Sequence, residues 1–358
     1  MPYNGDFIQR HAEAVATTLQ VTAIHVISDK DAKKTEIEDT VINNVRTLIA
    51  YPTFSKNPLL KFFRFFKAYL YLLKQVGHFD IVHLNRIYPA GFIALYLKWF
   101  QSKRYIISEH WHGYHKPFCK KISFGERFFS KQIAKNASSI CPVSDHLAKA
   151  MQDFGLTNRS YITVPNVIDT ALFKPIEKEQ EVYTVIHVSS MDSVKNVPKI
   201  LNVISELSQA KINFKFHLIG NNATDFKELA KELKIPSLQI NFVNQLPQED
   251  LVPYIQQADV LLLFSVIENL PCVILEAFSC GVSVVSTNVG GIHEYFPENF
   301  GTLIPVDNSK ALLEALAYYQ TSSKEVSKQE MHNYIDQNFS KKRIAEAFTK
   351  VYLSLLIK

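Results

Sequence analysis

Apolar positions along this chain recur with two alternating periods. The short runs "VTAIHVIS", "DIVHLN", "RYIISEH", "SSICPVS" and "YITVPN" are dense in branched apolar residues and read as β-strands. Helical or loop segments separate them, the pattern of a parallel α/β sheet. The alternation restarts after the charged stretch "FKPIEKEQE" with "YTVIHVSS", "FKFHLIG", "QINFVNQ", "DVLLLFS", "GVSVVSTN" and "GTLIPV". Two α/β domains are therefore expected, residues 1–175 and 176–338. The terminal segment 339–358 carries "RIAEAFTKVYLSLL", whose apolar positions recur at three and four residues. It is expected to be a helix packing back toward the first domain.

Composition narrows the class. With 358 residues and 47% hydrophobic positions, the chain can bury a substantial core. Cys119, Cys141, Cys272 and Cys280 form no C-x2-C pair, which argues against a disulfide framework or a zinc site and fits a reducing cytoplasm. No apolar run approaches the roughly 18 residues of a membrane span. Charge is uneven: residues 1–175 hold 23 Lys and Arg against 13 Asp and Glu, the remainder 16 against 21. A basic first domain points to an anionic surface or partner, although uneven solvation would give the same counts. The segment "NPLLKFFRFFKAYLYLLKQ", Asn57 to Gln75, sharpens that point. On a helical wheel Lys61, Arg64, Lys67 and Lys74 share one sector and aromatic and aliphatic residues fill the rest, as in a helix lying on an anionic membrane surface. A core-packed helix with one basic stripe reads the same way.

Candidate chemistry concentrates at "SVIENLPCVILEAFSCG", where Glu268 and Glu276 stand eight residues apart. "DVLLLFS" reads as a buried strand, Glu268 falls in the loop after it, and "PCVILEAFSC" opens a helix at Pro271. Eight residues span at most about 12 Å at helical rise. That exceeds the ~5 Å separation of a retaining glycosidase pair. It suits contacts to two ends of one extended ligand, with the helix N-terminus facing an anion such as a diphosphate. Taken alone, the spacing equally describes two glutamates with no shared task.

The wider stretch "ENLPCVILEAFSCGVSVVSTNVGGIHEYF" resembles the donor-binding segment of retaining glycosyltransferases of family 4, which have the GT-B fold. Gly281, Val284, Val285, Gly290, Gly291 and Glu294 match the family pattern in register, and Ser283 replaces its proline. "ISEHWHG", "ASSICPVSDHLAKAM" and "VPNVIDTALFKP" extend the resemblance over nearly the whole chain. It implies two Rossmann-like doubly wound domains facing across a cleft, and sugar transfer from a nucleotide diphosphate sugar, UDP- or GDP-linked.

The resemblance also implies roles for single residues. Glu276 would bind the donor ribose, and Glu268 the hydroxyls of the transferred sugar. Lys195 would stabilise the leaving diphosphate; Ser190 stands where the family has a second cation, an arginine. Asn269 and Leu270, next to Glu268, join the donor-binding set. His110 would contact the transferred sugar, and Gly5 would give the backbone room at a glycine loop before the first helix. Three histidines in "HWHGYH", His110, His112 and His115, fit no closed zinc spacing, and "SDKD" reads as a turn, so neither metal nor other cofactor is expected.

The expected activity is retaining transfer to a glycan or lipid-linked acceptor in cell-surface polysaccharide or lipopolysaccharide synthesis, without a protein nucleophile. The expected place is the cytoplasm, peripheral at the inner face of the membrane, with no nucleic-acid partner. Two rivals stand beside it: a nucleotide-sugar epimerase of the same fold and a non-catalytic glycan-binding protein. A β-strand should precede the glycine loop, yet Met1 stands four residues before Gly5. The first strand of the N-terminal domain is thus expected to be missing, and the natural reading frame to begin upstream.

Overall fold

The computed structural model describes residues 6–179, 182–210, 212–322 and 326–356. The chain divides into two compact units. One, the N-terminal unit, gathers Gly5–Val143, Ala148–Val167 and Lys341–Lys358; the other, the C-terminal unit, includes Ser144–Leu147 and Ile168–Ser340.

The strands of the N-terminal unit are β1 (Thr22–Val26), β2 (Glu36–Ile42), β3 (Val45–Tyr51), β4 (Ile81–Asn85), β5 (Arg104–Glu109) and β6 (Ser139–Pro142). They form two separate three-stranded sheets, β1-β3-β2 and β4-β5-β6. Among the described residues no strand joins one sheet to the other. The α/β class expected from the sequence describes this arrangement. Hairpin β2–β3, which the apolar pattern did not reveal, turns at Asn43 and Asn44 with φ of 47° and 66°, a left-handed pair that asparagine tolerates. "YITVPN" was expected to be a strand and is not one. Pro165 removes a ladder donor, and Tyr161 makes only an isolated bridge to Ile140.

Two cores hold this unit. Leu48 and Ala50 of β3 pack with Tyr69 and Leu72 of helix Pro58–Val76 and with Ile93 and Leu97 of helix Gly91–Gln101. Ala14 and Val15 of helix Asp6–Ala16 pack with Ile106, Cys141 and Phe348, the last from helix Lys341–Leu356.

The C-terminal unit contains β7 (Tyr183–Ser189), β8 (Phe214–Gly220), β9 (Ile240–Asn244), β10 (Val260–Leu263), β11 (Ser283–Thr287) and β12 (Gly301–Ile304). All six match the apolar runs of the sequence. They make one parallel sheet of order β12-β11-β10-β7-β8-β9. Chain order reverses between β7 and β10, so the loops after these strands flank a topological switch point. Ligands of doubly wound sheets bind at such points. Among the described residues, no helix is long and apolar enough to cross a membrane.

Candidate functional site

Loop Ser190–Lys195 leaves β7 and loop Phe264–Leu270 leaves β10, both at the switch point. A polar relay shapes the first loop. Buried His187 on β7 gives its Nδ1 proton to the Leu262 carbonyl (2.8 Å), and its Nε2 accepts from Ser189 Oγ (2.8 Å). Ser189 Oγ in turn accepts the Met191 N–H (3.1 Å), fixing a turn in which Met191 has φ 58°. Burial lowers the His187 pKa to about 4, so the ring stays neutral and the relay holds. Asp192 then caps the short turn Ser193–Lys195 by accepting from Val194 N.

This brings Lys195 to Glu268, 73 residues later in the chain. Lys195 Nζ lies 2.5 Å from Glu268 Oε1, and Ser265 Oγ donates to the same oxygen at 2.7 Å. Both loops are also tied by backbone, Val266 N to Val194 O at 2.9 Å. Thr287 Oγ1 donates to Ser265 O (2.6 Å) from the end of β11. Glu268 and Asn269 are each 8% exposed and Leu270 5%, so this loop is part of the interior wall.

The pair Gly290–Gly291 is a steric requirement. Gly290 has φ 62°, and a Cβ there would stand 1.8 Å from the Glu268 carbonyl oxygen. Gly291 donates its N–H to Asn269 O at 2.9 Å, and a Cβ there would strike Ser144 at 2.5 Å. Glu294 extends this anchoring: its carboxylate accepts the Asp145 and His146 N–H groups, each at 2.7 Å. Those bonds explain why Ser144–Leu147 cluster with the C-terminal unit. The family pattern includes Glu294 without assigning it this anchoring task.

Glu276 lies on helix Cys272–Ser279, 4% exposed, and Pro271 stands at the cap rather than in the first turn. Its charge, after burial, helps to raise the Cys280 thiol pKa. Ser190 is exposed, and its hydroxyl donates to Asp192 Oδ2 at 2.7 Å, so no cation stands there. All eight arginines of the chain, Arg10, Arg46, Arg64, Arg86, Arg104, Arg127, Arg159 and Arg343, belong to the N-terminal unit. Any anion clamp supplied by the C-terminal unit therefore lacks arginine's bidentate fork.

In the N-terminal unit, β5 ends at Glu109, which is 1% exposed. Its carboxylate accepts from Ile87 N, His110 N, Trp111 N and Tyr114 Oη, at 3.0 to 3.3 Å. Burial raises its pKa while these donors oppose the shift. The four bonds fix the loop that carries His110, and the sequence pattern does not single Glu109 out. His110 Nδ1 meets Asn166 Oδ1 at 3.1 Å, which leaves the lone pair on Nε2. Phe7 lies 4.2 Å and His11 5.1 Å from its ring, centroid to centroid. Desolvation holds the His110 pKa well below its ordinary value. Gly5 falls outside the described residues. Among the described residues no three His, Cys, Asp or Glu side chains are grouped as metal ligands.

Comparison with known proteins follows these two halves. A model described as Glycosyltransferase Family 4 matches residues 8–172, and one described as Glycosyl transferases group 1 matches 169–341. The chain belongs to the group 1 glycosyltransferase family. Its fold is GT-B. Among curated relatives, a phosphatidylinositol N-acetylglucosaminyltransferase component of Arabidopsis thaliana is 27% identical over 205 residues, covering 55% of this chain and 45% of that protein. The chain thus matches less than half the length of that relative. Sucrose-phosphate synthase from Thermosynechococcus elongatus superposes with a TM-score of 0.79 at 18% identity, over 99% of this chain and 94% of that one. Anabaena HepE, solved in complex with UDP and glucose, gives 0.76 at 14% identity over 98% and 96%.

Proposed function

We propose that this glycosyltransferase moves a sugar from a nucleotide diphosphate sugar, with retention of anomeric configuration, to a glycan or lipid-linked acceptor in cell-surface polysaccharide synthesis. The observation that carries the reading is the Lys195–Glu268–Ser265 constellation at the switch point, backed by Gly290 and Gly291. Lys195 is held by Glu268 in the absence of donor. When the donor enters, the ammonium turns to the leaving diphosphate and the Glu268 carboxylate accepts from hydroxyls of the sugar. Glu276 accepts from the ribose hydroxyls, while Asn269 and Leu270 line the donor loop. His110, neutral, contacts the transferred sugar.

The bond from C1 to the diphosphate oxygen breaks, the acceptor oxygen bonds to C1 on the same face, and the acceptor proton passes to the departing phosphate. Lysine and main-chain donors carry the stabilisation of that phosphate where Ser190 leaves a charge out. No metal enters the step. The UDP bound to HepE makes uridine the first base to try, and the lipid named for the Arabidopsis relative supports a lipid-linked acceptor.

The test is incubation with UDP- and GDP-sugars, with and without lipid-linked acceptors, followed by NMR of the product linkage. An α-linked product from an α-linked donor supports the reading; an inverted linkage overturns it. Isomerised donor without acceptor identifies an epimerase, and donor binding without turnover on any acceptor identifies a glycan-binding protein.

A further inference from the structure

The N-terminal unit carries a surface that holds none of the residues assigned to glycosyl transfer above. Residues 56–136 hold 15 Lys and Arg, and their only acidic residues are Asp80, Glu109 and Glu126, of which Glu109 is buried. Within this stretch, rings from three helices touch in one chain. Phe62 of helix Pro58–Val76 meets Phe92 of helix Gly91–Gln101 at 5.3 Å, and Phe92 meets Phe129 of helix Phe124–Asn136 at 4.8 Å. Phe63 and Phe128 extend the cluster at either end, at 6.4 and 5.4 Å.

These rings are not core. Phe62 is 40%, Phe63 68%, Phe128 50% and Phe129 40% exposed. Leu59, on the turn before Phe63, is 72% exposed. An apolar patch of this kind, laid over three packed helices, marks a contact surface. The helix Pro58–Val76 buries Ala68, Tyr69 and Leu72 instead, so its apolar residues serve two faces. Arg64 does not join the outward charges: its Nη1 donates to the carbonyls of Thr53 and Phe54, both at 3.0 Å. Lys61 and Lys67 are exposed on the same helix as Phe62 and Phe63.

We propose that these three helices form a docking face for a bilayer containing anionic phospholipids. The exposed phenylalanine rings enter the headgroup boundary, and Lys61 and Lys67 meet lipid phosphates. Exposed aromatic rings flanked by lysines on one helix are what an interface of apolar tails beneath anionic headgroups selects. A second copy of this chain fits the same face less well, because it brings the same excess of positive charge to the contact. The proposal rests on this face alone and is independent of the reaction assigned above.

The experiment is co-sedimentation of the full chain, without donor, with vesicles of phosphatidylcholine alone or mixed with phosphatidylglycerol. Binding to the mixed vesicles only, weakening as salt rises, is the expected result. Lys61→Glu with Lys67→Glu should lower partitioning about tenfold or more. Phe63→Ser with Phe128→Ser should lower it comparably, with circular dichroism unchanged. The lysine variant keeps the test decisive if the ring variant does not fold. Failure to bind the mixed vesicles, equal binding to both kinds, or partitioning unmoved by the lysine reversals overturns the proposal. So does a concentration-dependent dimer that the ring substitutions abolish, since the face would then belong to a second copy.

Discussion

The two units solve the problem of buried polar groups differently. In the C-terminal unit a charged pair, Lys195 and Glu268, stands at the end of an unbroken six-stranded sheet. In the N-terminal unit the polar interior, beside the Glu109 carboxylate with its four donors, holds a set of neutral rings. His11 Nε2 donates to Pro165 O at 3.0 Å; His83 joins Tyr352 Oη (2.7 Å) and Ser108 Oγ (2.6 Å); His110 joins Asn166. Desolvation lowers His11 to about 4 and His83 to about 3, the second helped by the nearby His11. A charge pair can release one partner to a ligand's charge. Neutral rings have no charge to release, and they hold their geometry only while they stay unprotonated.

That contrast predicts its largest effect under acid. His11 and His83 are neutral in the folded unit at any pH above their lowered values, whereas the unfolded chain takes up protons below about 6.5. Stability is therefore complete above pH 6.5 and declines as pH falls toward 4, by roughly 3 kcal/mol for each histidine at the lower end. The C-terminal unit has one comparable ring, His187. Both tryptophans, Trp99 and Trp111, lie in the N-terminal unit, so their fluorescence reports its unfolding. Urea midpoints by fluorescence should drop faster between pH 6.5 and 4 than midpoints by far-UV circular dichroism. Parallel drops would erase the distinction between the units.

Gly290→Ala probes the opposite unit. With φ at 62° and the Glu268 carbonyl in the way, a Cβ should cost about 3 kcal/mol of strain and displace the loop. A melting temperature equal to wild type would show that the loop yields freely. Glu268→Gln keeps the shape and removes the charge that holds Lys195. Turnover should fall about 100-fold, and nucleoside diphosphate affinity far less. An equal loss in both would place Glu268 on the diphosphate instead of the sugar. The smallest effect belongs to Ser190→Arg. It would place a fork-shaped cation in a unit that has none, and should tighten nucleoside diphosphate binding several-fold, about 1 kcal/mol. Weaker binding by calorimetry would mean that a lysine already occupies the anion's position.

Legibility in the sequence followed burial on both faces. Parallel strands such as β10 and β11 are covered on each side and therefore appear as unbroken apolar runs. Strands β8, β9 and β12 keep exposed or half-buried positions and were legible instead from their branched and aromatic residues. Strand β2, "EIEDTVI", is exposed along most of its length and had no apolar signature to give. Arg64 read as a surface charge because a helical wheel cannot show the carbonyls of a preceding loop. Glu109 did not stand out in the sequence because its four donors come from two loops that meet only in the fold.

The sequence by itself determined the alternation of elements, the two-part α/β class, and the residue types at the donor loop, because each depends on local periodicity or on a motif a few dozen residues long. Tertiary structure alone decided who meets whom. It set Lys195 against Glu268 across 73 residues, put Glu294 under a helix start 149 residues before it, and brought the rings of Phe62, Phe92 and Phe129 to one surface. Such pairings depend on strand order and on the crossing of helices, which a one-dimensional pattern leaves free. Register within the sheet fixes them, through contacts whose two halves carry no mark of each other in the chain.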